Sequence, residues 1–265
     1  MLPVFAGFMW LTGSLATSLA VQYLVWTVVL VFYDIPRGTS LLTGMRGLIP
    51  IWDGARVLCL TRQAAPLGLV VLASALVESI PLYFIEYYYG VAALGIFATL
   101  AYFVKVGGVL VKSVGQGLVP RMAKHFIERE QREFWKLVGW TVVSSLVLGG
   151  VGIVAASLWG APILHLLYGA EYAAHTGLLV VIMLAGAIAY LSWVANNTLN
   201  SMRLFGRQVP LAVSVLLMSP IACALVVPKY GTAGAAWAWV ATGCFHLLLA
   251  SAMVWFANRS FLQDA

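Results

Sequence analysis

The chain has 265 residues, of which 62% are apolar and only 9% charged, and its mean hydropathy is +0.96. A soluble domain carries roughly a quarter charged residues, so this chain cannot cover a water-facing surface, and lipid must be the solvent for most of it. The net charge of +6 does not mark a nucleic-acid partner, because the basic residues lie in the gaps between apolar runs, as in loops facing an anionic leaflet.

A helix needs about 20 apolar residues to cross the hydrocarbon core. Seven segments qualify: 3–33, 66–88, 91–118, 137–159, 174–199, 208–228 and 232–257. The first contains no Lys or Arg, and Asp34 is the first charged residue, so the basic start of a signal peptide is missing and the chain is expected to begin with a span. Its excess length can be absorbed by tilt or by a kink near Gly13.

Loops 34–65, 119–136 and 200–207 and the tail carry Arg37, Arg46, Arg56, Arg62, Arg121, Lys124, Arg129, Arg132, Lys136, Arg203, Arg207 and Arg259. The alternate loops, near 89–90, 160–173 and 229–231, carry only Lys229. This asymmetry predicts a cytoplasmic C-terminus and an N-terminus outside. Tyr87, Tyr88, Tyr89, Trp159, Tyr168 and Tyr172 are expected at the outer interface, and Phe134, Trp135 and Trp140 at the inner one. Apolar residues at helical spacing predict a helix lying in the cytoplasmic interface over about 119–134. Gly234, Ala238 and Thr242 recur every fourth residue, and Gly149 and Gly152 sit in the fourth span; such small residues let helices approach closely in lipid.

Ionisable groups within the spans are few. Glu78 lies 12 residues before Gly90 and Lys105 lies 15 after it, so at 1.5 Å per residue both are about 18–22 Å from that turn and at similar depth. They are expected either to pair across the hairpin or to line a cavity. Lys112 is seven residues beyond Lys105 and shares its face, and Gln116 extends the polar stripe. Its two readings are a cationic cavity for an anionic substrate and a structural role in which Lys112 snorkels to the interface. Asn197 and Asn200 share a face with Trp193 and either line a cavity or bond between helices. His246, near the middle of the last span, is a candidate proton relay or a neutral interhelical hydrogen-bonding group.

Cys59, Cys223 and Cys244 form no C-x-x-C, which predicts neither a disulfide nor a metal site, and no cofactor is expected. The chain has no G-x-S-x-G, Walker loop or H-E-x-x-H and no long outer loop, so it is expected to move something rather than act as an enzyme.

Tyr83–Glu86, Ala93–Phe97, Ala101–Tyr102, Gly115–Gln116 and Pro120–Lys124 occur in an order that resembles the O-antigen and polysaccharide-repeat flippases, in the superfamily of multidrug and oligosaccharidyl-lipid exporters. Leu167–Tyr172, Pro228–Gly231 and Gly234–Ala236 extend the resemblance over about 66–258. It implies an all-α integral membrane fold of two six-helix lobes around a cavity. Residues 66–265 would be the C-terminal lobe, 1–33 the last helix of a truncated N-terminal lobe, and 34–65 the cytoplasmic connection. It further implies export of an undecaprenyl-diphosphate-linked oligosaccharide across the bacterial inner membrane. The partners would be the bilayer, the lipid-linked glycan, and a missing lobe or other polysaccharide-assembly proteins. The alternatives are a multidrug or cation exporter, a membrane-embedded glycan enzyme and an inactive fragment.

Overall fold

The computed structural model describes residues 15–37 and 53–263, and no strand occurs among them. The start of the first predicted span, Gly13 and most of the 34–65 connection lie outside the described residues. The protein is an all-α membrane protein. Five helices are long and apolar enough to cross a bilayer. Two of them are broken at a glycine, which yields the seven segments that hydropathy predicts.

The chain divides into two compact units, Met1–Leu60 and Thr61–Ala265. In the first, α1 (Leu15–Val29) passes into a π-helical turn, Leu30–Asp34. Tyr23, Leu24, Trp26 and Phe32 are exposed on it, as expected of side chains solvated by acyl chains rather than by protein. The Arg37 guanidinium stacks 4.0 Å from the Tyr33 ring centroid.

The remaining helices are α2 (Gly54–Ile127), α3 (Gln131–Tyr168), the single-turn α4 (Ala170–Ala173), α5 (Thr176–Ser201) and α6 (Phe205–Gln263). Helix α2 starts earlier than predicted, so 54–65 is helical rather than loop. The Asp53 carboxylate accepts the Ala55 amide at 3.0 Å and meets Arg56 at 3.1 Å, capping a start that hydropathy does not register. Gly90 (φ 79°) divides α2 into α2a (54–89) and α2b (91–127), and Gly231 (φ 62°) divides α6 into α6a (205–230) and α6b (232–263). An L side chain rarely adopts such angles, so glycine permits the turn. Beyond Gly231 the chain doubles back. Leu211 and Val215 of α6a meet Ala250 of α6b, and a Cβ at Gly234 would lie 2.6 Å from the Val226 carbonyl. The Tyr89 hydroxyl donates to the Pro228 carbonyl at 3.1 Å, which brings the two glycine turns to the same end.

At the opposite end the turns are built differently. Arg129 and Arg203 both have φ 60°. In the first turn Glu130 N–H donates to His125 C=O (2.9 Å) and Arg129 N–H to Phe126 C=O (3.3 Å); in the second Leu204 N–H donates to Leu199 C=O (3.1 Å) and Arg203 N–H to Asn200 C=O (3.0 Å). Each is a Schellman turn with arginine where glycine is usual. This corrects the predicted interfacial helix over 119–134. Its residues belong to the ends of α2b and α3, because the turn at 128–130 reverses the chain. Phe134 is correspondingly only 2% exposed, and packs with Met122, Val138, Met202 and Ala257 instead of anchoring an interface. The predicted outer loop 160–173 is also largely helical, with Gly169 (φ 95°) ending α3.

Helix α5 is the post of the bundle: 44% of its most apolar stretch is buried, against 17–33% for α2, α3 and α6. Glycines on its neighbours make the room. On α3, a Cβ at Gly149 would lie 2.6 Å from Ala187 Cβ and one at Gly160 would lie 2.7 Å from Thr176 Cγ2, while Gly152 receives Met183. On α2b, Gly107 and Gly115 receive Tyr190 and Trp193. Lipid tails are as apolar as leucine, so such close packing, rather than hydrophobic burial, drives helix association. The stripe Gly234, Ala238 and Thr242 is buried, as its spacing predicts.

Candidate functional site

Phe97, Ala101, Val104, Gly108, Val111 and Gly115 form the buried face of α2b. Lys105, Lys112 and Gln116 run along its exposed flank. From Lys105 to Gln116 the stripe covers 11 residues, about 16 Å. Nearby hydroxyls are satisfied by their own helix: Thr99 donates to the Gly95 carbonyl and Ser113 to that of Val109, each at 2.8 Å. The two ammonium groups and the amide, with the exposed Tyr102 hydroxyl one turn before Lys105, are therefore the polar chemistry that this face offers.

Glu78, on α2a, is also exposed. Glu78 and Lys105 do not form an ion pair: the salt bridges between described residues are Arg56–Asp53, Lys124–Glu128, His125–Glu130 and Lys136–Glu133. Equal depth is a distance along the helix axes, and it does not turn the two side chains toward each other.

The amides of α5 lie elsewhere. The Gln208 Nε2 group donates to Asn200 Oδ1 at 2.8 Å, joining α5 to α6a across the Arg203 turn. The Asn196 amide lies 3.3 Å from His246 Nε2, joining α5 to α6b. Asn197 adjoins a crevice lined by Gly115, Val119, Met122, Thr141 and Trp193, and its Nδ2 is buried with no hydrogen-bond partner. Asn197, Asn200 and His246 are thus interior groups between helices, whereas Lys105, Lys112 and Gln116 lie on the bundle's outer surface. Of the two readings that the sequence leaves open for the asparagines, Asn200 takes the interhelical one, through its bond from Gln208.

Two further groups were not singled out from the sequence. The Tyr190 hydroxyl donates to the Val104 carbonyl at 2.6 Å, its ring seated against Gly107 and Gly108. Gln208, 2% exposed, follows the Arg203 turn and is the first residue of the predicted span 208–228, where nothing in the hydropathy marks it as buried. Metal-type donors come together at the Arg129 turn, where His125, Glu128 and Glu130 present ligand atoms within 4.8 Å of one another.

One comparison bears on function. Over 172 residues, 64% of this chain, the sequence is 27% identical to the capsular polysaccharide biosynthesis protein CapF of Staphylococcus aureus. The chain is a distant relative of a polysaccharide biosynthesis protein. The match spans 43% of that protein, so less than half of its length has a counterpart here. No family model and no solved structure matches the chain.

Proposed function

We propose that this chain is part of a flippase that carries an oligosaccharide linked to undecaprenyl diphosphate across the bacterial inner membrane, making and breaking no covalent bond. The observation that carries the reading is the exposed Lys105–Lys112–Gln116 stripe. A lysine at the centre of a membrane helix costs about 2.5–3.5 kcal/mol on insertion scales, so Lys105 at mid-depth, with Lys112 towards the inner interface on the same face, is better suited to a water-filled cavity than to acyl chains. In the low dielectric around such a cavity, ammonium groups attract a diphosphate or an acidic sugar strongly. The distant relative's name supports a glycan as cargo. A cation exporter would favour an acidic lining, and this stripe is basic.

In this reading the end that carries Arg129 and Arg203 faces the cytoplasm. A second lobe, of the same polypeptide or another, supplies the facing wall, and the two rock about the substrate to open on alternate sides.

The test is surface-glycan export in a strain lacking its own flippase, with the chain expressed within its full reading frame. A solvated point charge makes few shape-specific contacts, so Lys105→Arg retains export, while Lys105→Ala and Lys105→Glu lower it at unchanged membrane abundance. Lys112 follows the same order with smaller effects. Normal export by Lys105→Ala at normal abundance would remove the stripe from the transport path.

A further inference from the structure

The turn between α2b and α3 holds a group of side chains that the transport reading does not use. Helix α2b ends at Ile127, Arg129 takes the left-handed conformation, and Glu130 N–H closes back on His125 C=O at 2.9 Å. His125 and Glu128, three residues apart, would share a face even on a continuous helix, and the reversal at Arg129 brings Glu130, which would point away, round to join them. His125 Nδ1 lies 2.6 Å from Glu130 Oε2, and a Glu128 carboxylate oxygen lies within 4.8 Å of both donors. The imidazole is pre-positioned, with its side chain only 27% exposed, beside a crevice lined by Phe126, Phe134, Trp135, Gln131 and Asn258.

We propose that His125, Glu128 and Glu130 bind a divalent transition-metal ion of the Zn2+ class, independently of the flippase reading. One imidazole nitrogen and two carboxylate oxygens are a ligand set that zinc accepts, with water completing the coordination. Donors held tetrahedrally about 2.0–2.2 Å from zinc lie about 3.3–3.6 Å apart, so the ion must widen the 2.6 Å His125–Glu130 contact and draw Glu128 in, both by side-chain rotation. The imidazole selects against Mg2+, which prefers oxygen ligands and sheds its water reluctantly. All three ligands come from one Schellman turn, so little chain ordering is needed when the ion binds. Two cations oppose it. The Lys124 ammonium lies 3.8 Å from Glu128, and Arg129 sits between the two glutamates in sequence. The ion must displace Lys124 from Glu128, and this makes Lys124 a diagnostic position.

The experiment uses detergent-purified protein carrying no polyhistidine tag, stripped with a chelator and titrated with Zn2+ against a chromogenic zinc indicator. One Zn2+ per chain is expected, with Mg2+ in large excess failing to compete. Loss of groups that merely orient ligands lowers metal affinity about 10–100-fold, so His125→Gln and Glu130→Gln should each weaken binding by at least about tenfold. Glu130→Gln retains a hydrogen-bonding partner for His125 and should melt like the unmodified protein, which separates ligation from folding. Lys124→Ala should tighten binding, an outcome that a purely structural turn does not produce. The control His165→Gln/His175→Gln should leave binding unchanged. Absence of stoichiometric Zn2+ binding, unchanged affinity in His125→Gln, or equal competition by Mg2+ would overturn the proposal.

Discussion

Helix α5 carries Asn196, Asn197 and Asn200 and keeps them between helices, whereas α2b carries Lys105, Lys112 and Gln116 and leaves all three exposed. The two helices pack side by side, with Tyr190 and Trp193 of α5 seated on Gly107 and Gly115 of α2b. What differs is the partner each polar group needs. An amide is satisfied by another amide, as Asn200 is by Gln208, and by an imidazole, as Asn196 is by His246. An ammonium group in lipid needs a carboxylate or water, and Glu78, the carboxylate at similar depth, is not paired with Lys105. Asn196 and Asn200 thus join helices, the buried Asn197 Nδ2 has no partner, and surface polarity is left for something outside the bundle. That difference makes α2b the functional candidate and α5 the scaffold.

The sharpest way to break the comparison is to disturb the seam between the two helices. At Gly186 of α5 a Cβ would lie 2.7 Å and 2.8 Å from the two Val104 methyl groups. Gly186→Leu should therefore lower the detergent melting point most, at the upper end of the about 1–3 kcal/mol typical of overpacking. Val109→Leu, on the exposed side of α2b, should change nothing measurable. Equal losses from both would mean that α5 is not the packed post.

A smaller effect is expected from the interior amides. Interhelical hydrogen bonds in membrane proteins contribute about 0.6 kcal/mol on average and up to about 1.7 kcal/mol. Gln208→Leu and Asn200→Leu should each destabilise, and a double-mutant cycle should return a coupling energy in that range. Strict additivity would show that the 2.8 Å contact does not persist in the folded protein.

The smallest effect belongs to α2b. If Lys105 is a surface group, Lys105→Ala should alter detergent stability by no more than about 0.5 kcal/mol, even where it impairs export. A loss as large as that of Gln208→Leu would place Lys105 among the structural residues and erase the contrast.

Arg129 and Gly231 illustrate what can be read before the fold is known. Glycine at 90 and 231, between apolar runs too long for one crossing, marks reversals, because few other residues accept the backbone angles. Arginine at 129 and 203 carries no such mark, so the sequence shows connections at 119–136 and 200–207 but not the residue at which each Schellman turn closes. The 119–134 segment was legible as amphipathic, yet its apolar residues serve two helix ends packed on each other. Of the candidate residues, the Lys105–Lys112–Gln116 stripe was legible as one face of one helix. Whether Asn197 and Asn200 line a cavity or bond between helices was not, because the choice needs the rotation of one helix relative to another.

By itself the sequence determined that the protein lives in lipid, which segments are long and apolar enough to cross, where two glycine turns fall and which residues are small enough to let helices touch. These follow from apolar length along the helix axis and from local backbone limits. Only the tertiary structure decided that α5 is central, that the asparagines turn inward, that Glu78 and Lys105 do not meet, and that His125, Glu128 and Glu130 converge. The reason is the solvent. In water an amphipathic stripe announces the buried side of a helix, but in a bilayer the lipid-facing and core-facing sides are both apolar, so rotation about the axis is set by packing.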